Sequence, residues 1–177
     1  MCLSSAFVEA FADMLPEGGV MPEISLTAPE LPEHRTYLGL AEQGRFDISQ
    51  IKADVLIIQI FSMYCPHCQR EAPSVNSLHQ RIENDRNLKD KVRMIGIGVG
   101  NSDFEVNFFR KTYHVLFPLF SDPDFSIHKK VGEVRTPYFI CIKSNKDQTH
   151  RIFYSKLGPV GDADAFLNLI SQQLRSK

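Results

Sequence analysis

At 177 residues the chain has room for one domain with a core of its own, and its 43% hydrophobic and 23% charged content is that of a globular protein. A net charge of −1 and a pI near 6.6 leave no basic footprint, which sets nucleic acid and anionic membranes aside as partners. Four cysteines are too few for a disulfide scaffold in a chain this long, and no run reaches the ~20 apolar residues that span a bilayer.

In residues 1–12, Ala10-Phe11-Ala12 has the small-x-small form of a cleavage site, while Ser4, Ser5 and Glu9 interrupt the apolar character. The stretch reads either as the tail of a truncated export signal or as a frayed amphipathic turn. Cys2 is accordingly a thiol in a disordered end or, after removal of a signal, a lipid-bearing anchor, the one route by which the chain would meet a membrane. Residues 13–35 carry Pro16, Pro22, Pro29, Pro32 and the Gly18-Gly19 pair, a spacing that predicts an extended surface segment without helix. Residues 1–35 thus read as an N-terminal extension and 36–177 as the domain. Tyr37–Leu40 and Phe46–Ile51, on either side of Gly44, predict a hairpin or two edge strands.

Val55–Phe61 is apolar and β-branched except for Gln59, the pattern of a strand buried on both faces in mid-sheet. Pro66 then opens a helix in which Val75, Leu78 and Ile82 recur at helical spacing, with Pro73 inside it. Val92–Val99 is the next strand, its Gly96 and Gly98 implying close approach of another element. Ser102 and Glu105 form a capping box for a helix to about Tyr113. Val115–Phe120 predicts a strand, Asp122-Pro123 a helix start, and Gly132 that helix's end. Thr136-Pro137 leads into the strand Tyr138–Ile142, Asn145-Lys146-Asp147 is a turn, and Arg151–Tyr154 pairs back. Asp162 caps a last helix with Phe166, Leu169, Ile170 and Leu174 on one face. The order predicts an α/β sandwich with a mainly parallel start and an antiparallel finish.

The chemistry concentrates at Cys65-Pro66-His67-Cys68, where the buried strand gives way to a helix. Backbone N–H groups and the positive dipole end of that helix favour a Cys65 thiolate. Cys68, one turn inward, is spaced to attack a mixed disulfide formed on Cys65. Half of a zinc site is the competing reading, but there is no second Cys pair or His pair at ligand spacing, and redox chemistry is favoured over metal. Gln69, not His, follows Cys68, which excludes covalent haem attachment of that type, and no cofactor is called for. Cys141, inside an apolar strand, reads as a small hydrophobe.

A strand leading into Cys-x-x-Cys on a helix, with Thr-Pro opening a late strand, resembles the thioredoxin fold. The run Cys65–Pro73, the chain ahead of the first central strand and the extra strand–helix segment narrow the resemblance to the TlpA/ResA-type redoxins. It implies a thioredoxin-like three-layer α/β sandwich, a mixed central sheet flanked by helices, with an N-terminal extension and a central strand–helix insertion. It further implies that Pro137 is a cis-proline beside the cysteines, that Thr136 presents its backbone to an incoming peptide, and that Glu71 tunes thiol protonation. A solvent-facing carboxylate is the other reading of Glu71. Tyr64 stands where most of the superfamily carries Trp, and Gln59 where thioredoxins carry a buried Asp. The Pro66-His67 pair between the cysteines is that of oxidising periplasmic thiol oxidases, with His67 and Pro66 tuning Cys65.

The expected function is disulfide exchange with a cysteine-containing protein substrate and a redox partner protein, in the periplasm or another extracytoplasmic space, the cytoplasm being the alternative. A peroxiredoxin is the first competing reading; Ser62 meets its requirement three residues before the cysteine, and Ile58 fails the proline requirement seven before. A binding module whose disulfide only braces the helix is the second. The direction of transfer is open to oxidase, reductase and isomerase.

Overall fold

The computed structural model describes residues 15–41, 43–144 and 149–176; Cys2, the export-signal reading of residues 1–12 and the turn expected at Asn145-Lys146-Asp147 fall on other positions. The first part of the chain forms β1 (Ser25–Thr27), α1 (Pro32–Leu38) and β2 (Arg45–Asp47). There follow β3 (Val55–Phe61), α2 (Pro66–Asn84), β4 (Val92–Val99), α3 (Asp103–Thr112), β5 (Leu119–Asp122) and α4 (Ser126–Lys130). The chain finishes with β6 (Tyr138–Ser144), β7 (His150–Leu157) and α5 (Ala163–Arg175).

Five strands make one sheet in the order β5-β4-β3-β6-β7. β3, β4 and β5 run parallel, whereas β6 is antiparallel to β3 and β7 to β6. β3 is central, and all seven of its residues are buried. Alternation along β3 sends Leu56, Ile58 and Ile60 into one core with β1, β2 and α4, and Val55, Ile57 and Phe61 into another under α2, α3 and α5. This is a thioredoxin-like arrangement: a mixed sheet between two layers, with β4–α3–β5–α4 between the two motifs. Where β5 has not yet begun, Tyr37 of α1 closes the β4 edge, its hydroxyl accepting from the Met94 N–H at 2.8 Å. Residues 18–21 run along the β7 edge: the Gly18 N–H donates to Ile152 O (2.7 Å), the Ile152 N–H to Gly19 O (2.9 Å) and the Met21 N–H to His150 O (2.8 Å).

The structure departs from the sequence-based expectations in three places. Residues 32–38 are helical, not extended. Pro32 occupies the first helical position, where its missing N–H costs nothing, and the Arg35 guanidinium closes the turn on Pro29 O and Glu30 O, both at 2.7 Å. Tyr37–Leu40 therefore forms no strand, and Phe46 pairs instead with Leu26 of β1. β5 begins at Leu119 rather than Val115: Val115 and Phe117 are buried as core-filling loop residues, and burial alone does not separate such a run from a strand. Helix α4 starts at Ser126, not at Pro123, yet Asp122 still supplies cap chemistry from the end of β5. Its carboxylate accepts from the N–H groups of Ile127 (3.0 Å) and His128 (2.8 Å).

Candidate active site

Cys65 is the N-cap residue of α2, and Pro66 is the first helical residue. No N–H leaves Pro66, so the first donors that the helix offers are those of His67 and Cys68. Burial is the largest influence on the Cys65 thiol and pushes it up. It is outweighed by hydrogen bonding from the Thr136 side chain, from the N–H and thiol of Cys68 and from the His67 N–H, and the Cys65 thiol ends below its ordinary value. Cys68 is fully buried in the core under α2, and that burial pushes its thiol up to about 12. Cys65 is partly exposed, and both sulfurs are free thiols. The pair is thus asymmetric, with an accessible acidic thiol backed by a buried one that resists ionisation.

The Thr136–Pro137 peptide bond is cis, and the Cys65 thiol donates to the Thr136 carbonyl at 3.4 Å. This brings the two sequence motifs, 71 residues apart, into contact. Tyr64 is exposed and donates its hydroxyl to Glu105, whose carboxylate also accepts from the Ser102 N–H at 2.7 Å. The His67 ring takes a hydrogen bond on Nδ1 from Arg70 at 2.9 Å, which places the proton of the neutral ring on Nε2. Glu71 is only partly buried, and its Oε1 accepts from the Val160 N–H at 3.0 Å, tying the loop before α5 to the thiol helix.

Two residues that the sequence reading passed over hold the approach to Cys65. Asn101, fully buried, accepts the Met63 N–H on Oδ1 at 2.8 Å, while Gln69 donates to the Met63 carbonyl at 2.7 Å. The peptide groups on both sides of Met63 are clamped, and with them the turn that delivers Cys65. Gln69 carried a signal only in hindsight, an amide four residues after Cys65 on the same helical face. Asn101 sits beside a capping serine and looks like any loop residue. Gln59 is buried in β3, on the face that carries Val55, Ile57 and Phe61. Cys141 is fully buried, and its thiol lies far above the ordinary value through burial, as suits a packing residue.

Among the described residues, no cluster of three or more His, Cys, Asp or Glu side chains could hold a metal ion, and no helix is long and apolar enough to cross a membrane. The model of the AhpC/TSA family matches residues 20–152. No curated protein matches the chain. Solved structures with the same fold include a Chlorobium tepidum protein provisionally described as a thiol:disulfide interchange protein DsbE, with 14% identity over 90% of this chain and 99% of that one (TM-score 0.67). A secreted Mycobacterium tuberculosis disulfide oxidoreductase homologous to E. coli DsbE shares 17% identity over 84% of this chain and 95% of its own (TM-score 0.58). StoA from Bacillus subtilis shares 19% over 85% and 98% (TM-score 0.59). At these identities the likeness is one of fold.

Proposed function

Because the chain belongs to the AhpC/TSA family and holds a free thiol pair on a helix start, we propose that it is a thiol-disulfide oxidoreductase acting on protein cysteines. The observation that carries this reading is the asymmetry of the pair: Cys65 is partly exposed and acidified, Cys68 buried and pushed up to about 12. In the reductive direction the Cys65 thiolate attacks one sulfur of a substrate disulfide, forming a mixed disulfide and releasing the other sulfur as a thiolate. Cys68 then loses its proton and attacks the Cys65 sulfur, closing the Cys65–Cys68 disulfide and expelling the substrate's second thiolate. Two electrons pass to the substrate, and the reverse sequence returns them.

Glu71, one turn after Cys68 on the same helix, is the proposed acceptor of the Cys68 proton. Pro66 and His67 tune Cys65, His67 through its N–H. Thr136, Pro137 and Tyr64 form the substrate-facing wall. Residues 36–177 are proposed as the thioredoxin-like domain behind residues 1–35. The extracytoplasmic setting is proposed on the company of relatives such as the secreted M. tuberculosis enzyme.

Titration of the pair against glutathione tests the reading. Exchange with the glutathione pool is expected, together with loss of exchange in Cys65→Ser and accumulation of a mixed disulfide in Cys68→Ser. A bridge that forms only below about −300 mV, and so resists that pool, would make it structural and overturn the proposal. Peroxide consumption faster than that of free thiol would point instead to peroxide reduction, a chemistry in which Ser62, already bonded to Asn101 Nδ2 at 3.4 Å, would act beside Cys65.

A further inference from the structure

A groove of about 540 Å³ opens beside the thiol pair, lined among others by Tyr64, Gly100, Phe125, His128 and Thr136. It is continuous with the reacting sulfur, since the Thr136 carbonyl stands 3.4 Å from Cys65 Sγ and Tyr64 immediately precedes Cys65. A polypeptide joined to Cys65 through a disulfide has its main chain only a few bonds from this groove.

Among its lining residues Phe125 presents an exposed aromatic ring, as Tyr64 does. Phe125 is 46% exposed and holds φ at +61°, a left-handed backbone that a bulky side chain rarely adopts. Such an outlier persists only where the surroundings over-determine it. Here Asp122 does so from below, with its carbonyl accepting the Phe125 N–H at 3.3 Å and its carboxylate accepting the Ile127 and His128 N–H groups of α4. The ring lies over Gly100, where a Cβ would sit 2.7 Å from Phe125 Cζ. Glycine at position 100 is what allows the ring to lie there. His128 packs on the ring at 6.1 Å between centroids and donates from Nε2 to the Val134 carbonyl at 2.8 Å, fixing the loop that leads to Thr136. Tyr64, 65% exposed, is likewise fastened by its hydroxyl to Glu105. Two aromatic rings are thus fixed in position while their faces stay in solvent.

We infer that this groove reads the substrate: it takes the extended segment around the substrate's cysteine and selects those with a large apolar residue, aromatic above all, close to that cysteine, with Phe125 as the specificity-determining residue. The inference rests on the thiol-exchange reading. Burial of the free face of Phe125 by an apolar side chain is favourable, whereas a polar side chain there loses hydration without a partner.

The test uses the reduced protein and two dodecapeptides, each closed by one internal disulfide and differing only in Phe or Ser next to the first cysteine. In each turnover the two protein thiols become the Cys65–Cys68 disulfide and the peptide disulfide becomes two thiols. The expected result is a second-order rate constant for oxidation of the reduced protein about tenfold higher with the Phe peptide, the scale on which an apolar pocket discriminates, falling to near parity in Phe125→Ala. Phe125→Leu, which keeps an apolar surface, retains part of the preference, and circular dichroism establishes that each variant is folded. Equal rates for the two peptides in the parent chain, or an undiminished preference in a folded Phe125→Ala, overturn the inference. Glutathione disulfide, too small to span the groove, separates the layers. If the parent chain reduces it but does not discriminate between the peptides, only the groove assignment fails. If it reduces neither, the exchange reading fails and the groove assignment with it.

Discussion

Cys65 and Cys68 are three residues apart, yet their surroundings push their thiols in opposite directions, one below and one up to about 12. Ultraviolet titration of the reduced protein is therefore expected to show one thiolate forming below the ordinary range of a free thiol and a second absent until strongly alkaline pH. A single step of two thiolates near the free-cysteine value would contradict the asymmetry. A second titratable residue acts on stability. His79 of α2 is 7% exposed, its two ring nitrogens have no hydrogen-bond partner, and it packs between Tyr37 and Phe117. Burial, aided by Arg93 and His34, lowers its pKa from 6.5 to about 4. Below pH 6.5 the unfolded chain therefore binds a proton that the folded chain refuses. Stability from this group is complete above that pH and falls as pH drops toward 4, by on the order of 3 kcal/mol in all. Urea unfolding across this window should show the slope in the parent protein and a flatter one in His79→Leu. At this scale the chemistry was legible where spacing encodes it: the Cys-x-x-Cys pair and Pro66 announced themselves. Asn101, which clamps Met63, did not, because a hydrogen bond across 38 residues leaves no local pattern, and Gln69, six residues from Met63, is one polar residue among several on its helix.

The long elements were readable because burial on two faces forces an uninterrupted β-branched run in β3, and burial on one face forces a helical period in α2. Short elements depend on single contacts. The turn of α1 hangs on Arg35, and the cap of α4 comes from a residue of β5. The two glycines of β4 were expected to mark close approach, and they do so unequally. A Cβ on Gly96 would meet Leu119 Cδ2 at 2.4 Å, the end of a side chain that can swing away. A Cβ on Gly98 would meet Val106 Cγ2 at 2.8 Å and Asn101 Oδ1 at 3.1 Å; valine on a helix has one preferred rotamer, and Asn101 is committed to Met63. Gly98→Ala is accordingly expected to cost about 1–3 kcal/mol and to slow alkylation of Cys65, while Gly96→Ala costs less. Denaturant midpoints and iodoacetamide rates of the two variants make the comparison. Equal effects would show that Asn101 does not transmit the strain.

For the molecule as a whole, the sheet carries two cores, and the one remote from α2 draws Met21, Ile24, Leu26 and Leu38 from the first forty residues. Each is 6% exposed or less. Composition favoured reading that stretch as surface, because prolines hide the apolar residues spaced between them. Removal of residues 1–40 is expected to uncover the β3–β4–β6 face and to cost several kcal/mol, at about 1.5–3 kcal/mol for each large side chain. Dye binding and the urea midpoint of the shortened chain measure it; a midpoint equal to that of the parent would mean that these side chains contribute little.

The segment at residues 18–21 has a further consequence. By hydrogen bonding to His150 and Ile152 it covers the first part of β7, through which one flank of the sheet could recruit a strand from another molecule, while the opposite flank, β5, is only four residues long. Strand-by-strand addition at that part of β7 is therefore blocked as long as residues 18–21 stay docked. Proteolytic nicking between this segment and β1 would release that protection before the thiol helix is disturbed. Colloidal failure of an ageing preparation would then precede any loss of its redox chemistry.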